Sequence, residues 1–351
     1  MKLLTDWAHT DAPWLTSPGP DQGIACASRL RLARNCAGKR FRRTLDTAER
    51  EALTTDILAR LGDCLPWSEG LRASMDDLNQ SQRLFLVERH LASSELAGGG
   101  AQSGIAIRAD ALASVMIGEE DHVRLQVLSP GLDLFTCLDA AVELDQCLGK
   151  ALHWAYHPHY GYLTSCPTNL GTGMRASVML HLPALALSKE LPRMLRGLGK
   201  LQLTARGFHG EGSEATGHFY QISNQRTLGA DELGFIQHLE ETIRDIIAYE
   251  QEARSALIGQ QRALLEDKVY RAWGILRHAR RLGSNETIEQ CSWLRLGIAC
   301  GWLEASLWPA ADRLLITSQR AHLQLRDPRA LDPCTRDVLR ADHVRSTLAS
   351  H

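Results

Sequence analysis

One short stretch limits what this chain can be. Thr164-Ser165-Cys166-Pro167-Thr168-Asn169-Leu170-Gly171-Thr172-Gly173-Met174-Arg175-Ala176-Ser177 sets a thiol, a glycine-rich turn and an arginine side by side. Cys166 lies between a hydroxyl pair and Pro167, the two glycines let backbone approach a ligand closely, and Arg175 can fork onto phosphate oxygens. Alone, such a stretch is most often a turn joining two strands. It reads as a pocket because three other segments supply the missing parts: Ser28-Arg29-Leu30-Arg31-Leu32-Ala33-Arg34-Asn35, Gly118-Glu119-Glu120-Asp121-His122-Val123-Arg124, and Arg206-Gly207-Phe208-His209-Gly210-Glu211-Gly212-Ser213.

Composition narrows the class. The 351 residues suffice for one large domain and a smaller one, and 44% hydrophobic with 23% charged is the balance of a folded globular chain. Only Leu3-Leu4 precede Asp6 and Pro13, and no run approaches the ~20 apolar residues of a membrane span, so a cytoplasmic protein with no membrane contact is expected. Nine cysteines without CxxC spacing fit reduced thiols rather than a disulfide frame or a zinc site. A net charge of −2 argues against nucleic-acid binding. The charge is uneven: residues 258–351 hold 14 Lys and Arg against 10 Asp and Glu, almost all of the cations arginine, the residue that holds phosphate bidentately.

Periodicity predicts the elements. Asp46 and Glu49 form a capping box ahead of a helix ending at Gly62; a second helix is expected over 75–91, and 98–100 as a flexible glycine loop. Strands are expected over 104–108, 113–117 and 123–128, with both glutamates at the tip of the last hairpin, where a sheet can present catalytic groups on a rigid base. A helix over 134–153 follows, then strands near 161–164, 177–182, 201–206 and 218–223. From Asp231 a helix runs to about Leu257. Beyond it no strand is expected, and helices near 260–282, 287–304, 310–324 and 334–348 suit a bundle whose apolar faces favour self-association. The division expected is 1–257 for a catalytic domain and 258–351 for a helical one.

The four motifs, in this order between about Cys26 and Glu250, resemble the phosphagen (guanidino) kinases, and within that family the bacterial branch acting on arginine in proteins. One departure stands out: Gly118 replaces the asparagine usual before Glu119-Glu120-Asp121. The resemblance implies an α+β fold with a large antiparallel sheet flanked by helices, and transfer of the γ-phosphoryl group of ATP, with Mg2+, to a guanidinium. It assigns Arg29, Arg31, Arg124, Arg175 and Arg206 to the nucleotide phosphates. Ser28, Leu30, His90, Ala176, Ser177, Val178, Met179 and the run Gly207, Phe208, His209, Gly210 and Glu211 are assigned to the same site. Glu120 and Glu211 would grip the acceptor guanidinium, with Glu120 as general base, and Cys166 would stand on the substrate side without becoming a covalent nucleophile.

In the tail, Arg336-Asp337-Val338-Leu339-Arg340-Ala341 fits the RDxxRA pattern by which such kinases bind phosphoarginine allosterically. Two arginines and an aspartate on successive turns match the two halves of that ligand. Arg326-Asp327-Pro328-Arg329-Ala330 is one residue short and carries a proline, so it is read as a decoy. Only 27 residues precede Ser28, where small-molecule phosphagen kinases carry a helical domain, which favours an open pocket taking arginine on a protein surface. The expectation is therefore a protein-arginine kinase, a homodimer or larger, working with an adaptor protein and a Clp-type unfoldase or protease in quality control. The alternatives are a kinase for free arginine or another small guanidine, and a non-catalytic phosphoarginine reader.

Overall fold

A computed structural model gives the structure of the chain and describes residues 2–63, 67, 69–99, 102–207 and 216–349. The chain begins with α1 (Lys2–Ala8), α2 (Pro13–Thr16), β1 (Ala25–Arg34), α3 (Thr47–Gly62), β2 (Leu71–Ser74), α4 (Gln80–Glu88) and α5 (Ser94–Gly99). It continues through β3 (Gly104–Ile107), β4 (Ala113–Ile117), β5 (Val123–Pro130), α6 (Leu134–Leu152), β6 (Tyr156–His157), β7 (Gly161–Tyr162) and β8 (Met174–His181). Then come α7 (Pro183–Leu187), α8 (Leu191–Lys200), β9 (Leu203–Gly207) and β10 (Phe219–Asn224). The remainder is helical: α9 (Glu232–His278), α10 (Ser284–Ala299), α11 (Trp308–Thr317), α12 (Arg320–Arg326) and α13 (Pro333–Ala349). Among the described residues no helix is long and apolar enough to cross a membrane.

Eight strands form one antiparallel sheet in the order β2-β3-β4-β5-β1-β8-β10-β9. Strand periodicity of two divides each central strand between the two faces. Leu30 and Leu32 of β1, Leu125 and Val127 of β5, and Ala176 and Val178 of β8 point into one core with Leu138, Ala141 and Leu148 of α6 and Ile236, Leu239 and Ile243 of α9. On the opposite face, Arg29, Arg31, Arg124 and Arg175 gather at one end of the strands. Elsewhere on that face Met116, beside Arg124, and Met179 and Phe219 pack into a second core with Trp14, Phe85, Leu276, Ile288 and Leu314.

Local chemistry accounts for the boundaries. The Asp46–Glu49 capping box is present and opens α3 as expected. The helix expected over 75–91 is instead a 3-10 turn (Met75–Asp77) followed by α4, because Asn79 and Gln82 make a second capping box that restarts the helix. Gly98 and Gly99 end α5 rather than lying in a loop. The strand expected at 161–164 shrinks to β7, paired with β6 in a separate hairpin.

The boundary expected after residue 257 falls inside α9, whose helical geometry breaks at Gln261 (φ −140°, ψ 33°). The helices beyond are not a free-standing bundle, because their apolar faces complete the second core with amino-terminal residues. Polar contacts fasten the same junction. Buried Arg295 pairs with Asp312 and donates to Gln22 O at 2.8 Å, while Arg326 donates to Ala8 O at 2.6 Å.

Arg34 ties the sheet to the glycine-rich turn. Its guanidinium, 2% exposed, forks onto Asp145 of α6 at 2.9–3.1 Å and donates to Ala33 O and Thr172 O, both at 2.9 Å. Gly173 (φ +61°) is required there: a Cβ would sit 2.6 Å from Ala33 O and 2.8 Å from Arg34 Nη1. Removing the partner strands a buried cation, so Asp145→Ala should cost about 3–5 kcal/mol. Urea unfolding measures this, and a loss below about 1 kcal/mol, the scale of an exposed pair, would contradict it.

Candidate active site

The arginines of the four motifs meet. Arg124 of β5, Arg29 and Arg31 of β1, Arg175 of β8 and Arg206 of β9 line one cavity of about 580 Å³. Register brings them there: Arg31 pairs with Arg175, Ala33 with Arg124, and Gln221 of β10 with Arg206. Packing like charges on one sheet face is costly. Burial first, then Arg175, Arg124 and Arg206, pull the Arg29 guanidinium down to about 10. Burial, then Arg29, Arg124 and Arg175, also pull Arg31 well down, only partly offset by Glu119. Arg29 Nε is buried with no hydrogen-bond partner among the described residues. A polyvalent anion would supply what these groups lack.

Facing the cations is the tip of the β4–β5 hairpin. Its turn closes with Gly118 N–H donating to His122 O at 2.9 Å. Glu119, whose side chain is 1% exposed, pairs with Arg124 and accepts from the Ser93 hydroxyl. Glu120 is more open: its Oε2 lies 3.5 Å from Arg124 Nη2 and accepts from Asn169 Nδ2 at 3.4 Å. Asp121 is buried and accepts from Asn35 Nδ2 at 2.7 Å and from Ser165 N–H at 2.6 Å. Asn35 Oδ1 in turn accepts from His122 N–H at 3.0 Å. Burial holds the His122 imidazole below its usual pKa, and its Nδ1 accepts from Cys36 N–H at 3.0 Å, leaving Nε2–H to donate to Arg40 O at 2.9 Å. Thus the carboxylate tip, the end of β1 and the cysteine loop form one hydrogen-bonded body. In that loop Cys166 Sγ lies 3.0 Å from Thr168 Oγ1.

The structure brings together Arg29, Arg31, His90, Arg124, Cys166, Arg175, Arg206 and Glu120 as cavity-lining residues. His90 follows α4 in the left-handed region (φ +58°), its ring edge-on to Trp14 and its carbonyl accepting from Gln126 Nε2 at 2.6 Å. Other expected residues do not line the cavity. Leu30, Ala176 and Val178 point through the sheet into the core beneath, as period two demands for the neighbours of Arg29, Arg31 and Arg175. Ser28 shares that side, donating to Gly131 O and accepting from Asp133 N–H, both at 2.8 Å. Ser177 is covered by Gln221 Nε2 at 2.7 Å, Met179 belongs to the second core, and Gly207 is buried at the end of β9. Phe208, His209, Gly210 and Glu211 lie outside the described residues.

Several lining residues carried no role in the motif reading. Asn169 and Thr168 sit within the quoted loop, and their polar side chains were the available signal. Gln221 and Ser223 share a strand face, and Ser223 Oγ accepts from Arg175 Nη2 at 3.1 Å. Gln319 comes from the helical tail, and no local pattern announces it.

The tail motif opens α13. Arg336 is half-buried and donates to Leu331 O at 2.9 Å; burial, then Arg320 and Arg340, lower its pKa against the pull of Asp337 and Asp332. Arg340 is 2% exposed and engaged by Ser318 O at 2.8 Å, Leu282 O at 2.6 Å and Asp337 at 2.6 Å. Ala341 is fully buried in the second core. The motif therefore presents Arg336 and Asp337 outward, while Arg340 clamps the helices behind them.

Two outcomes follow from this geometry. Inorganic tripolyphosphate should raise the thermal midpoint, by about 2.7 kcal/mol of stabilisation at a hundredfold excess over its Kd; an unchanged midpoint would reject an anion-completed cavity. At Gly118 (φ +71°) a Cβ would lie 2.6 Å from Arg42 Nη1 and 2.8 Å from its Cζ. Gly118→Asn, the usual family residue, should therefore displace the tip and lower turnover about tenfold or more, with recovery on adding Arg42→Ala. Kinetics of the single and double variants check this; no recovery would show that the contact with Arg42 is not the cause.

Comparison with known proteins gives the family. Residues 59–253 match the family model for the ATP:guanido phosphotransferase C-terminal catalytic domain, and residues 262–351 match that for the protein-arginine kinase McsB C-terminal domain. The chain is 40% identical over 341 residues to a protein-arginine kinase of Shouchella clausii, covering 96% of this chain and 95% of that protein. It is also 40% identical to one of Desulforamulus reducens, covering 100% and 99%. Among solved structures, a lombricine kinase superposes with TM-score 0.61 at 23% identity over 70% of this chain and 71% of its own. The duplicated taurocyamine kinase of Schistosoma mansoni superposes with TM-score 0.60 at 29% identity, over 67% of this chain and 34% of that one. The chain belongs to the ATP:guanido phosphotransferase family, among its protein-arginine kinases.

Proposed function

We propose that this chain phosphorylates arginine side chains of proteins, with MgATP as donor, in the cavity between the arginine face and the Glu120 tip. One observation carries the reading: five arginines from separated motifs and the carboxylate of Glu120 line a single cavity. Among the described residues no group of three or more His, Cys, Asp and Glu could hold a metal, and the cavity wall is cationic. Magnesium would enter with the nucleotide, held by its phosphate oxygens and water.

The residues divide the work by charge. The five guanidiniums orient the triphosphate and offset the negative charge of a loose phosphoryl-transfer transition state. The acceptor is itself a guanidinium with a pKa above ~12, so its proton must leave as nitrogen attacks. Glu120 takes that proton while the N–P bond forms and the bond between γ-phosphorus and the β-γ bridging oxygen breaks, releasing ADP. Motif position gives Glu211 the part of second carboxylate toward the acceptor, and Cys166, beside Thr168, lies against the cationic acceptor without bonding to phosphorus. The hydrogen bonds through Asp121 hold base and cysteine loop in fixed relation, so orientation supplies much of the acceleration.

A protein rather than free arginine is favoured as acceptor by near full-length likeness to protein-arginine kinases, carboxyl-terminal segment included. In this reading the tail senses phosphoarginine at Arg336 and Asp337. The protein assembles as a homodimer or larger in the cytoplasm, with an adaptor, and marks damaged proteins for a Clp-type protease. Mass spectrometry of casein incubated with MgATP, under conditions that preserve P–N bonds, should find phosphoarginine; efficient labelling of free arginine alone would defeat the protein-kinase reading. Glu120→Ala and Glu211→Ala should each lower kcat about 10²- to 10⁴-fold while leaving ATP binding intact, and undiminished turnover would reject these roles.

A further inference from the structure

Glu88, the last residue of α4, lines the catalytic cavity two residues before His90, yet the carboxyl-terminal helices hold its carboxylate. Ala321 N–H donates to its two oxygens at 2.8 and 3.1 Å; His322 N–H donates to Oε2 at 3.0 Å, and His322 Nδ1 at 2.9 Å. Burial, then the guanidiniums of Arg89 and Arg326, keep His322 below its usual pKa, so it is a neutral donor, and its ring packs on Phe85 of α4 at 4.5 Å. The residues just before this clasp point two ways. Gln319 lines the cavity itself, and Ser318 O accepts from Arg340 Nε at 2.8 Å. A continuous path of contacts thus runs from the Asp337–Arg340 pair through Ser318 and the start of α12 to Glu88, and along the chain to His90.

We propose that Glu88 is a positioning residue: through it the carboxyl-terminal helices set the His90 wall of the cavity, and phosphoarginine bound at Arg336 and Asp337 alters nucleotide affinity by this route. The second half rests on the phosphoarginine reading above; the first does not. A free α4 end would let the His90 backbone relax from its left-handed conformation, so the nucleotide side loosens while Glu120 and the Asn35–Asp121 body stay in place.

The test measures binding of Mg–methylanthraniloyl-ATP by fluorescence, which needs no acceptor, alongside kcat and both KM values on casein. Glu88→Ala should raise the nucleotide Kd and KM about tenfold with the casein KM unchanged, and added phosphoarginine should no longer shift the Kd. Glu88→Gln, keeping one acceptor oxygen, should recover part of the loss. His322→Phe keeps the stack on Phe85 and removes only the side-chain donor, so it should stay folded and raise Kd about threefold. If Glu88→Ala does not fold, His322→Phe decides. Parental nucleotide affinity in the folded variants would overturn the positioning role. Weakened nucleotide binding whose response to phosphoarginine matches the parent's would overturn only the route from the tail, and lack of casein labelling by the parent would count against the proposed activity alone.

Discussion

Five guanidiniums crowded on one face of a sheet set the electrostatic cost that the rest of the structure has to offset. Arg29 and Arg31 are drawn below the usual arginine range by burial and by each other's neighbours, and a buried Arg29 nitrogen finds no partner among the described residues. That cost is tolerable because the opposite face of the same strands, through Leu30, Leu32, Leu125, Ala176 and Val178, is packed into a core with α6 and α9. The sheet is a rigid plate with an apolar back and a cationic front. Such donors are oriented before any phosphate arrives, so little reorganisation remains for the reaction itself.

Opposite charge is kept close without collapsing onto the cations. Glu119 is given up to Arg124 and Ser93, which neutralises one arginine and leaves Glu120 more open beside it. The tip stays in place because Asp121 and Asn35 tie it to the cysteine loop, and because Gly118 leaves room for Arg42 against the turn. In this chain the space at position 118 and the position of Arg42 are therefore one feature.

Much of this could be read from the residues. The Asp46–Glu49 box, the strands around Gly104, Ala113 and Val123, and the helix from Leu134 rest on local caps and short-range periodicity, and they stand where such signals put them. Where two local signals competed, the reading failed: Asn79 and Gln82 restart a helix that apolar spacing had run continuously, and Gly98 and Gly99 close α5. Motif position brought the arginines together but could not tell side chains above the sheet from those below it, so Leu30, Ala176 and Val178 were counted with their neighbours. The tail was least legible. Its apolar stripes marked helices, but not that they would share a core with Trp14 and Phe85, nor that Gln319 would reach the cavity.

Phosphoryl transfer in this cavity depends on where a nucleotide and an acceptor sit. The direct measurement is a crystal structure with MgADP, nitrate and an arginine-containing peptide. It should show phosphate or nitrate oxygens about 3 Å from the guanidiniums of Arg29, Arg31, Arg124, Arg175 and Arg206, with Glu120 equally close to the peptide guanidinium. Phosphates bound away from this face, or a peptide arginine beyond the reach of Glu120, would contradict it.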